Sequence, residues 1–383
     1  MAFGLSKGVY VLKEVVVIGG GLAGLVSAIL LKRRGLTVCL IEKKAYPFHR
    51  VCGEYISNEV KPFLERNKLL PDQAELSDIT QFEFTSIKGR SLELPLDLGG
   101  FGISRYLLDE HLASIARREG VEILEKTTVS SVTYQADIFK LKLSTGEDLE
   151  SKLVIGAYGK NANLDKTLKR SFTSKRAPYI GVKRHIRIDF PKDKIALHNF
   201  ENGYCGISAI EGDKYNLCYL GSRDDLRKYG SLEAMEEATV KKNPHLKDIF
   251  ENSDMLFEKP EVINEFTFAP KTAVENHILM AGDSAGLITP LCGNGMALAI
   301  HAAKVVSDCI GKHWNSGKLN RTDLENEYSY DWQKLFAKRL WVGRQTQKLF
   351  GSKVTSEIAV SFMQNSKFVA RSIMKQTHGQ PFD

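Results

Sequence analysis

The hydrophobic pattern of the chain opens on an uncharged run, VVVIGGGLAGLVSAILL, at residues 15–31. Its length raises the question of a membrane span, which needs about 20 apolar residues. Three consecutive glycines, Gly19 to Gly21, argue against that answer, because each one costs roughly 1 kcal/mol inside a helix. The β-branched residues before the glycines and the helix formers after them predict instead a strand, a tight turn and a helix.

The pattern after residue 104 predicts a helix followed by short strands. RYLLDEHLASIARREG carries its apolar residues on one face of an amphipathic helix that ends at Gly120. Alternating strands follow, with STGED as a hairpin turn, and KLVIGAYG is the last of them.

A sheet-rich second region is predicted between residues 175 and 270, where apolar and polar positions alternate around a charged helix at 231–242. The order of strand, turn and helix then returns at ENHILMAGDSAGLITPLCGNGMALAIHAAKVVSDCI, with a second glycine cluster. Beyond Lys312 the chain is predicted to be helical, basic and aromatic. Its last apolar positions have roughly helical spacing: Ile358, Phe362, Val369 and Ile373.

Composition predicts a globular protein with two or three domains. The 383 residues are 43% hydrophobic and 26% charged, and a chain of this length exceeds one ordinary core. Its six cysteines are scattered without a CxxC pair, which argues against a metal site or a disulfide framework and for a reducing compartment. Residues 1–12 lack a signal-peptide pattern, so we expect a cytoplasmic protein.

The net charge of +7 is spread along the chain and not concentrated in blocks. The short basic patch KTLKR, at residues 166–170, is more typical of a solvated face than of a nucleic-acid site. No nucleic-acid partner is therefore expected. The positive excess leaves an anionic membrane surface or an acidic carrier protein open as partners.

The first glycine cluster has the spacing of a dinucleotide fingerprint, Gly19-x-Gly21-x-x-Gly24. Such glycines allow a tight turn, a close approach of the backbone to a pyrophosphate, and close packing of helix on strand. The helix N-terminus then offers free N–H groups to the phosphates, and an acid at the end of the next strand accepts from ribose hydroxyls. The predicted binding residues are Gly19, Gly21, Leu22, Ala23, Gly24, Glu42 and Lys43.

The second glycine cluster lies far along the chain from the first, so one nucleotide domain is assembled from distant pieces. NAD dehydrogenases usually complete this domain contiguously. The layout therefore indicates FAD, whose long ribityl and isoalloxazine arm needs a second set of contacts.

These stretches resemble FAD-dependent oxidoreductases with the para-hydroxybenzoate hydroxylase fold, in particular the branch of geranylgeranyl-reductase-like enzymes and flavin-dependent halogenases. The resemblance covers residues 14 to about 315. Besides the fingerprint it is carried by AGDSAGLITPLCGNGMALAI (281–300), ISRYLLDEHL, and HRVCGEYIS (49–57).

The resemblance implies an α/β fold. It combines a Rossmann-like FAD-binding domain built from discontinuous segments, a mostly antiparallel substrate-binding β-sheet domain and a C-terminal helical region. The implied FAD-binding segments are 1–75, 101–174 and 273–315, the substrate-domain segments are 76–100 and 175–272, and the helical region is 316–383.

The resemblance also implies site roles. Asp283, after Gly282, would bond the ribityl chain, and Pro290 would lie beside the flavin ring. A helix N-terminus aimed at the pyrimidine end of the ring favours the charge of reduced flavin, and that end would be met by N–H groups of Gly293, Asn294, Gly295 and Met296. Arg105 would lie near the phosphates or ribityl chain, or be a plain helix-initiating arginine. Cys52 would lie over the isoalloxazine face, or be a small buried hydrophobe.

Two departures from the family pattern matter. The family commonly has an aspartate before the glycine that follows LVIGA, whereas this chain has Tyr158 before Gly159. The missing carboxylate leaves the reductant open, with NAD(P)H expected as a transient donor. The halogenase motif WxWxIP is absent, and the corresponding stretch is NGYCGISAIEG at 202–212, which argues against a halogenase.

Three functions follow as alternatives. The leading one is a monooxygenase that acts through a flavin C4a-hydroperoxide on a hydrophobic or aromatic small molecule, because the cofactor then carries the difficult steps. The second is a reductase of carbon–carbon double bonds in a lipid-like substrate, which requires a proton donor. The candidate donors are Cys52, Tyr55, Tyr204 and Cys205. The third is a flavin-binding protein without turnover.

The substrate pocket is expected between the flavin and the sheet of residues 179–220. Apolar and aromatic positions dominate that sheet, with three basic side chains among them. The predicted floor comprises Tyr179, Ile207, Leu217 and Tyr219, and the basic residues are His185, Arg187 and His198.

Overall fold

A computed structural model gives the fold, and it describes residues 12–160, 163–174, 178–264, 267–289, 293–315, 317–347, 357 and 379–383. The predicted positions Pro290, Ile358, Phe362, Val369 and Ile373 lie outside the described residues.

The described strand-rich and helix-containing segments are interleaved as the sequence pattern predicts. The prediction of helix beyond Lys312 is wrong at its start, because two short paired strands at 314–315 and 318–319 precede the helices there. The strands are β1 (Lys13–Ile18), β2 (Val38–Ile41), β3 (Tyr55–Ser57), β4 (Ile79–Thr85), β5 (Ser91–Gly102), β6 (Glu122–Leu124), β7 (Val129–Gln135), β8 (Ile138–Leu143), β9 (Asp148–Gly156), β10 (Tyr179–Arg187), β11 (Lys194–Phe200), β12 (Gly203–Ile210), β13 (Lys214–Ser222), β14 (Asp254–Met255), β15 (Glu261–Asn264), β16 (Val274–Glu275), β17 (Ile278–Met280), β18 (Trp314–Asn315) and β19 (Lys318–Leu319). The helices are α1 (Leu22–Arg33), α2 (Lys61–Arg66), α3 (Arg105–Arg118), α4 (Asn163–Thr167), α5 (Arg223–Tyr229), α6 (Leu232–Ala238), α7 (Pro244–Asn252), α8 (Gly295–His313), α9 (Arg321–Trp332) and α10 (Lys338–Gln347).

The first sheet contains the nucleotide fingerprint. Its central strands run in the order β17, β9, β1, β2, β6 and pair in parallel, while β16, β8 and β7 add antiparallel pairs. Val15, Val16 and Val17 of β1 are fully buried, as expected of a strand covered on both faces of a parallel sheet. The run at residues 15–31 is therefore strand, turn and helix, as predicted.

The second sheet is almost entirely antiparallel. Its strands run β14, β10, β13, β12, β11, β4, β5, β3, with β15 also paired to β10 and one parallel pair between β11 and β4. One face packs on α6 and α7 and forms a separate core, whose buried members include Met235, Leu246 and Ile249. The α/β fold class is thus confirmed, with a Rossmann-like sheet beside a mostly antiparallel one.

The predicted single helix at 231–242 is wrong in one respect, because it is interrupted at Thr239. There the backbone leaves the helical region (φ −127°, ψ −59°), and a short 3₁₀ turn, Val240–Lys242, follows. The Thr239 hydroxyl donates to the carbonyl oxygen of Met235 at 2.7 Å. Such a bond from a threonine to the fourth residue before it disturbs a helix end.

Within the part of the chain that the structure describes, no helix is both long enough and apolar enough to cross a membrane.

Candidate functional site

The fingerprint glycines separate into two that pack against protein and one that faces open space. Gly19 has a left-handed φ of +102°, and a Cβ there would lie 2.5 Å from the carbonyl oxygen of Ala157. A Cβ on Gly24 would lie 1.9 Å from the carbonyl oxygen of Gly19. At Gly21 the nearest described atom would be Nη2 of Arg105, at 3.4 Å. The backbone at Gly21 is therefore open to a ligand.

Helix α1 offers an uncapped N-terminus at this place. It begins at Leu22, and within the described residues no side chain caps its first turn and no acidic residue lies in it. Leu22, Ala23 and Gly24 supply the first N–H groups, because the first helical bond runs from the N–H of Leu25 to Gly21. Free N–H groups and the helix dipole favour an anion such as a pyrophosphate.

Glu42 directly follows β2, and its buried carboxylate is directed at the fingerprint. Its Oε2 accepts from the N–H of Gly20 at 2.9 Å and from Nη2 of Arg50 at 3.0 Å. Its Oε1 accepts from the N–H of Lys44 at 3.1 Å. The carboxylate is thus fixed at the position where an acid accepts hydrogen bonds from ribose hydroxyls in this fingerprint. Lys43, the next residue, is exposed.

Two arginines converge on one buried aspartate near the phosphate position. Asp109 on α3 accepts from Nε and Nη2 of Arg105 at 2.7 and 2.8 Å, and from Nε of Arg50 at 2.9 Å. Burial alone would lower the pKa of Arg105, but the carboxylate of Asp109 raises it. Arg105 is therefore a fixed cation in front of Gly21. The sequence reasoning missed Arg50 and Asp109, although the spacing of four residues between Arg105 and Asp109 on one predicted helix was a usable signal for their ion pair.

The second glycine motif packs on the first. Gly282 has a φ of +60°, and a Cβ there would lie 3.0 Å from Cβ of Ala23 on α1. Half-buried Asp283 follows, and its carbonyl oxygen accepts from Nζ of Lys271 at 2.7 Å. Burial lowers the pKa of Lys271 to about 8. The predicted ribityl contact at Asp283 thus lies next to the fingerprint helix.

Helix α8 presents a second free N-terminus. It begins at Gly295, and in the described part of the chain its first turn has neither a side-chain cap nor an acidic residue. Gly293 precedes it with a φ of +61°. The side-chain amide of Asn294 donates to Glu59 at 3.2 Å, and Met296 is buried. The main-chain N–H groups of this turn therefore suit the charged end of a reduced flavin ring.

The Cys52-Gly53 segment lies where the two sheets meet. Its half-buried Cys52 has its carbonyl oxygen held by the side-chain amide of Asn216 on β13, at 3.1 Å. Burial raises the pKa of Cys218 on β13, and the nearby Cys52 adds to that rise. Among the described residues, no atom lies within 4 Å of a Cβ placed on Gly53. Gly53 is exposed, so the space beside this segment is open.

The register of β10 and β13 decides which side chains face this segment. Lys183 pairs with Cys218, and His185 with Asn216. These residues share the face that carries Tyr179, since alternate residues of a strand point the same way. The sequence reasoning missed Lys183 and its neighbour Glu54. A usable signal was the pair of basic residues two positions apart in the buried strand YIGVKRHIR.

The predicted pocket floor needs correction, because part of it faces the other way. The alternation of β12 and β13 turns Ile207, Leu217 and Tyr219 into the core with α6 and α7. His198 faces that side too, where its ring stacks on His245, and Arg187 is exposed at the end of β10.

The four candidate proton donors also divide by position. Cys205 lies in the same distant core as Ile207, and burial raises its pKa well above the ordinary value. The Tyr55 hydroxyl donates to the carbonyl oxygen of Gly99 at 3.2 Å. The Tyr204 hydroxyl donates to Gln347 at 3.4 Å. Cys52 lies against Asn216 of the second sheet, and the ring of Tyr55 lies 3.3 Å from the position of a Cβ on Gly293, so both candidates are close to the predicted flavin position.

Tyr158 replaces a family carboxylate with a neutral hydroxyl. Its Cα would lie 2.6 Å from a Cβ on Gly19, so it borders the fingerprint turn. Its hydroxyl donates to Oδ1 of Asp165 at 2.9 Å, and Arg170 pairs with the same oxygen at 3.1 Å. Burial raises the pKa of Tyr158, and the charge of Asp165 adds to the rise. The side chain therefore stays neutral beside the fingerprint.

The described residues fit FAD, because they bring together a fingerprint glycine, two helix N-termini without side-chain caps, a buried acid and two arginines held by a buried aspartate. This constellation on this fold defines an FAD-dependent oxidoreductase. The chain belongs to the FAD binding domain family, whose match covers residues 13–318.

Curated relatives match over most of the chain. It is 25% identical over 360 residues to conditioned medium factor receptor 1 of Dictyostelium discoideum, covering 84% of this chain and 68% of that protein. It is 25% identical over 338 residues to digeranylgeranylglycerophospholipid reductase of Methanosarcina acetivorans, covering 84% of this chain and 80% of that enzyme.

Solved structures share the fold. The flavin-dependent brominase Bmp2 has a TM-score of 0.77 at 18% identity, covering 97% of this chain and 95% of that one. A geranylgeranyl bacteriochlorophyll reductase-like protein from Thermoplasma acidophilum has a TM-score of 0.75 at 17% identity, covering 95% of this chain and 96% of that one.

Proposed function

We propose that this FAD-dependent oxidoreductase reduces carbon–carbon double bonds of a lipid-like substrate. The observation that carries the proposal is the position of Cys52, at the junction of the sheets with its carbonyl held by Asn216. Hydride addition to one carbon requires a proton on the other. Bound FAD would supply the hydride, and Cys52 is the donor candidate that borders the open space beside Gly53.

The sheet face on the same side as Cys52 suits an apolar chain. A cluster of buried apolar and aromatic side chains occupies it, formed by Phe84, Leu92, Leu94, Leu197, Tyr204, Leu220 and Leu287. Such surroundings favour a hydrocarbon substrate and exclude water. The similarity to digeranylgeranylglycerophospholipid reductase supports the same substrate class.

The reductant in this proposal is NAD(P)H, bound transiently. The hydroxylase alternative shares the cofactor and differs in its need for oxygen. The proposal is tested by supplying the FAD-loaded protein with a chemical reductant and unsaturated isoprenoid lipids, with and without air. We expect anaerobic formation of a product that has gained two hydrogen atoms. A product that forms only in air and has gained an oxygen atom would establish the hydroxylase instead.

Cys52→Ala provides the internal control for this experiment. Since alanine removes the thiol proton but leaves the main chain that Asn216 holds, FAD should remain bound while product formation falls. The same lipids are also supplied with NAD(P)H in place of the chemical reductant. Tight FAD binding without turnover under either condition would support the third alternative, a flavin-binding protein without turnover.

A further inference from the structure

A buried carboxylate directly after the Cys52-Gly53 segment holds three separate parts of the site. Glu54 is fully buried, and its Oε1 accepts from Nζ of Lys183 at 2.5 Å and from the N–H of Arg105 at 2.7 Å. Its Oε2 is paired with Nε2 of His185 at 2.6 Å. None of these contacts belongs to the nucleotide fingerprint.

The three partners of Glu54 come from two elements, β10 and α3. Lys183 and His185 are two positions apart on β10, so both side chains lie on the sheet face that is directed at Cys52. Both residues are almost fully buried. Arg105 is the first residue of α3, and its guanidinium lies in front of Gly21. One carboxylate therefore links the Cys52-Gly53 segment to the substrate sheet and to the arginine at the phosphate position.

The local backbone shows that this arrangement is imposed by its partners. Glu54 has a φ of +53°, in the left-handed region that non-glycine residues seldom adopt. Such a conformation persists where the surroundings over-determine it, and it clusters at functional sites. Buried ion pairs are often replaceable by apolar residues without loss of stability, so stability alone does not account for three polar groups here.

We propose that Glu54 is a positioning residue, which fixes the Cys52-Gly53 segment and the start of α3 in one geometry on the flavin. Lys183 and His185 hold the carboxylate of Glu54 from the sheet. The inference rests on FAD binding at the junction and holds for a reductase and a hydroxylase alike.

The test compares Glu54→Gln/Lys183→Met with a matched control. The double variant removes both charges together, so no buried charge is left unpaired. The control is Glu236→Gln/Arg184→Met, which removes another buried pair of opposite charges, Glu236 and Arg184 at 2.7 Å, on the opposite face of the same strand. His185→Asn is a second variant, which leaves the ion pair between Glu54 and Lys183 intact.

The first readout uses the protein without FAD. Hydrogen exchange of the peptide covering residues 49–57 should become faster in Glu54→Gln/Lys183→Met and in His185→Asn, but not in the control Glu236→Gln/Arg184→Met. The second readout is the visible circular dichroism of bound FAD. It should change in Glu54→Gln/Lys183→Met and in His185→Asn, and it should stay as in the wild type in the control.

The third readout separates positioning from general damage. We expect substrate-dependent reoxidation of the flavin to slow by about tenfold or more, as small misplacements of reacting groups do, while the FAD dissociation constant changes by less than about threefold. Wild-type exchange at 49–57 together with a wild-type flavin spectrum in the double variant would overturn the proposal. An equal change in Glu236→Gln/Arg184→Met would also overturn it, because the effect would then be general.

Discussion

Nη2 of Arg105 lies 3.4 Å from the position that a Cβ on Gly21 would take. The open side of the fingerprint turn thus faces a fixed cation, which is itself held by buried Asp109. A helix N-terminus and a guanidinium group directed at the same space favour an anion there. This relationship joins a motif read from the sequence to a residue that only the folded chain brings to it.

Replacing Gly21 should therefore affect the cofactor and spare the fold. We expect Gly21→Val to lose bound FAD, because its side chain occupies the space of the pyrophosphate, while the unfolding temperature of the FAD-free protein stays close to that of the wild type. The measurement is flavin absorbance of the purified variant. Full yellow occupancy would refute the fingerprint.

Gly24→Ala is the contrasting variant. Its Cβ would lie 1.9 Å from the carbonyl oxygen of Gly19, which is backbone and cannot move cheaply. We expect a lower unfolding temperature even without FAD, since helix α1 must shift off β1. An unchanged unfolding temperature would contradict the close packing described at this turn.

Asp283→Ala should weaken the retention of FAD. A hydrogen bond to a charged group is worth about 1.5–3 kcal/mol, so the dissociation constant should rise by roughly tenfold or more. Fluorescence titration of the FAD-free protein measures it. Asp248→Ala, which removes an exposed carboxylate on α7, is the control, and equal affinities in both variants would remove the assignment of Asp283.

Cys52→Ser should depress turnover while it spares FAD binding, because a hydroxyl is a much weaker acid than a thiol. The control is Cys309→Ser, near the far end of α8 and away from the junction. Turnover at the wild-type rate in Cys52→Ser would leave this cysteine as a packing residue.

Stability should fall as the pH drops below about 6.5, the ordinary histidine value. Burial lowers the pKa of His198 to about 3, and burial also lowers the pKa values of His49 and His301 to about 4. The unfolded chain then binds protons that the folded chain does not, so acidification favours unfolding. Urea unfolding at about pH 7.5 and about pH 5 measures the difference.

His198→Gln isolates one contribution to that pH dependence. His198 is fully buried, so its removal should reduce the stability lost between about pH 7.5 and about pH 5 by about 2 kcal/mol. The wild-type protein, measured in the same buffers, gives the reference loss. An undiminished loss in His198→Gln would show that this histidine is protonated in the folded protein.

Much of the nucleotide half could be predicted from the sequence because its signals are local. The turn at Gly19, the uncapped start of α1 and the acid at Glu42 follow one another within a short stretch. The discontinuous layout was also visible, since the second glycine motif repeats the order of strand, turn and helix.

The junction could be predicted only in part, because it depends on pairing between distant strands. A shift of one residue in register turns every side chain to the other face. That is why Ile207 and Leu217, predicted for the pocket, lie in the distant core, and why Glu54 was missed beside Lys183. The predicted domain boundaries, partners, cytoplasmic location and NAD(P)H stay predictions.

The central claim is best tested by one anaerobic stopped-flow experiment. Protein with chemically reduced FAD is mixed with an unsaturated isoprenoid lipid in the absence of oxygen, and the flavin absorbance is followed. The account predicts that the oxidised absorbance returns and that the lipid gains two hydrogen atoms, with a slower return in Cys52→Ala. Flavin that stays reduced until air is admitted, followed by a product containing new oxygen, would contradict it.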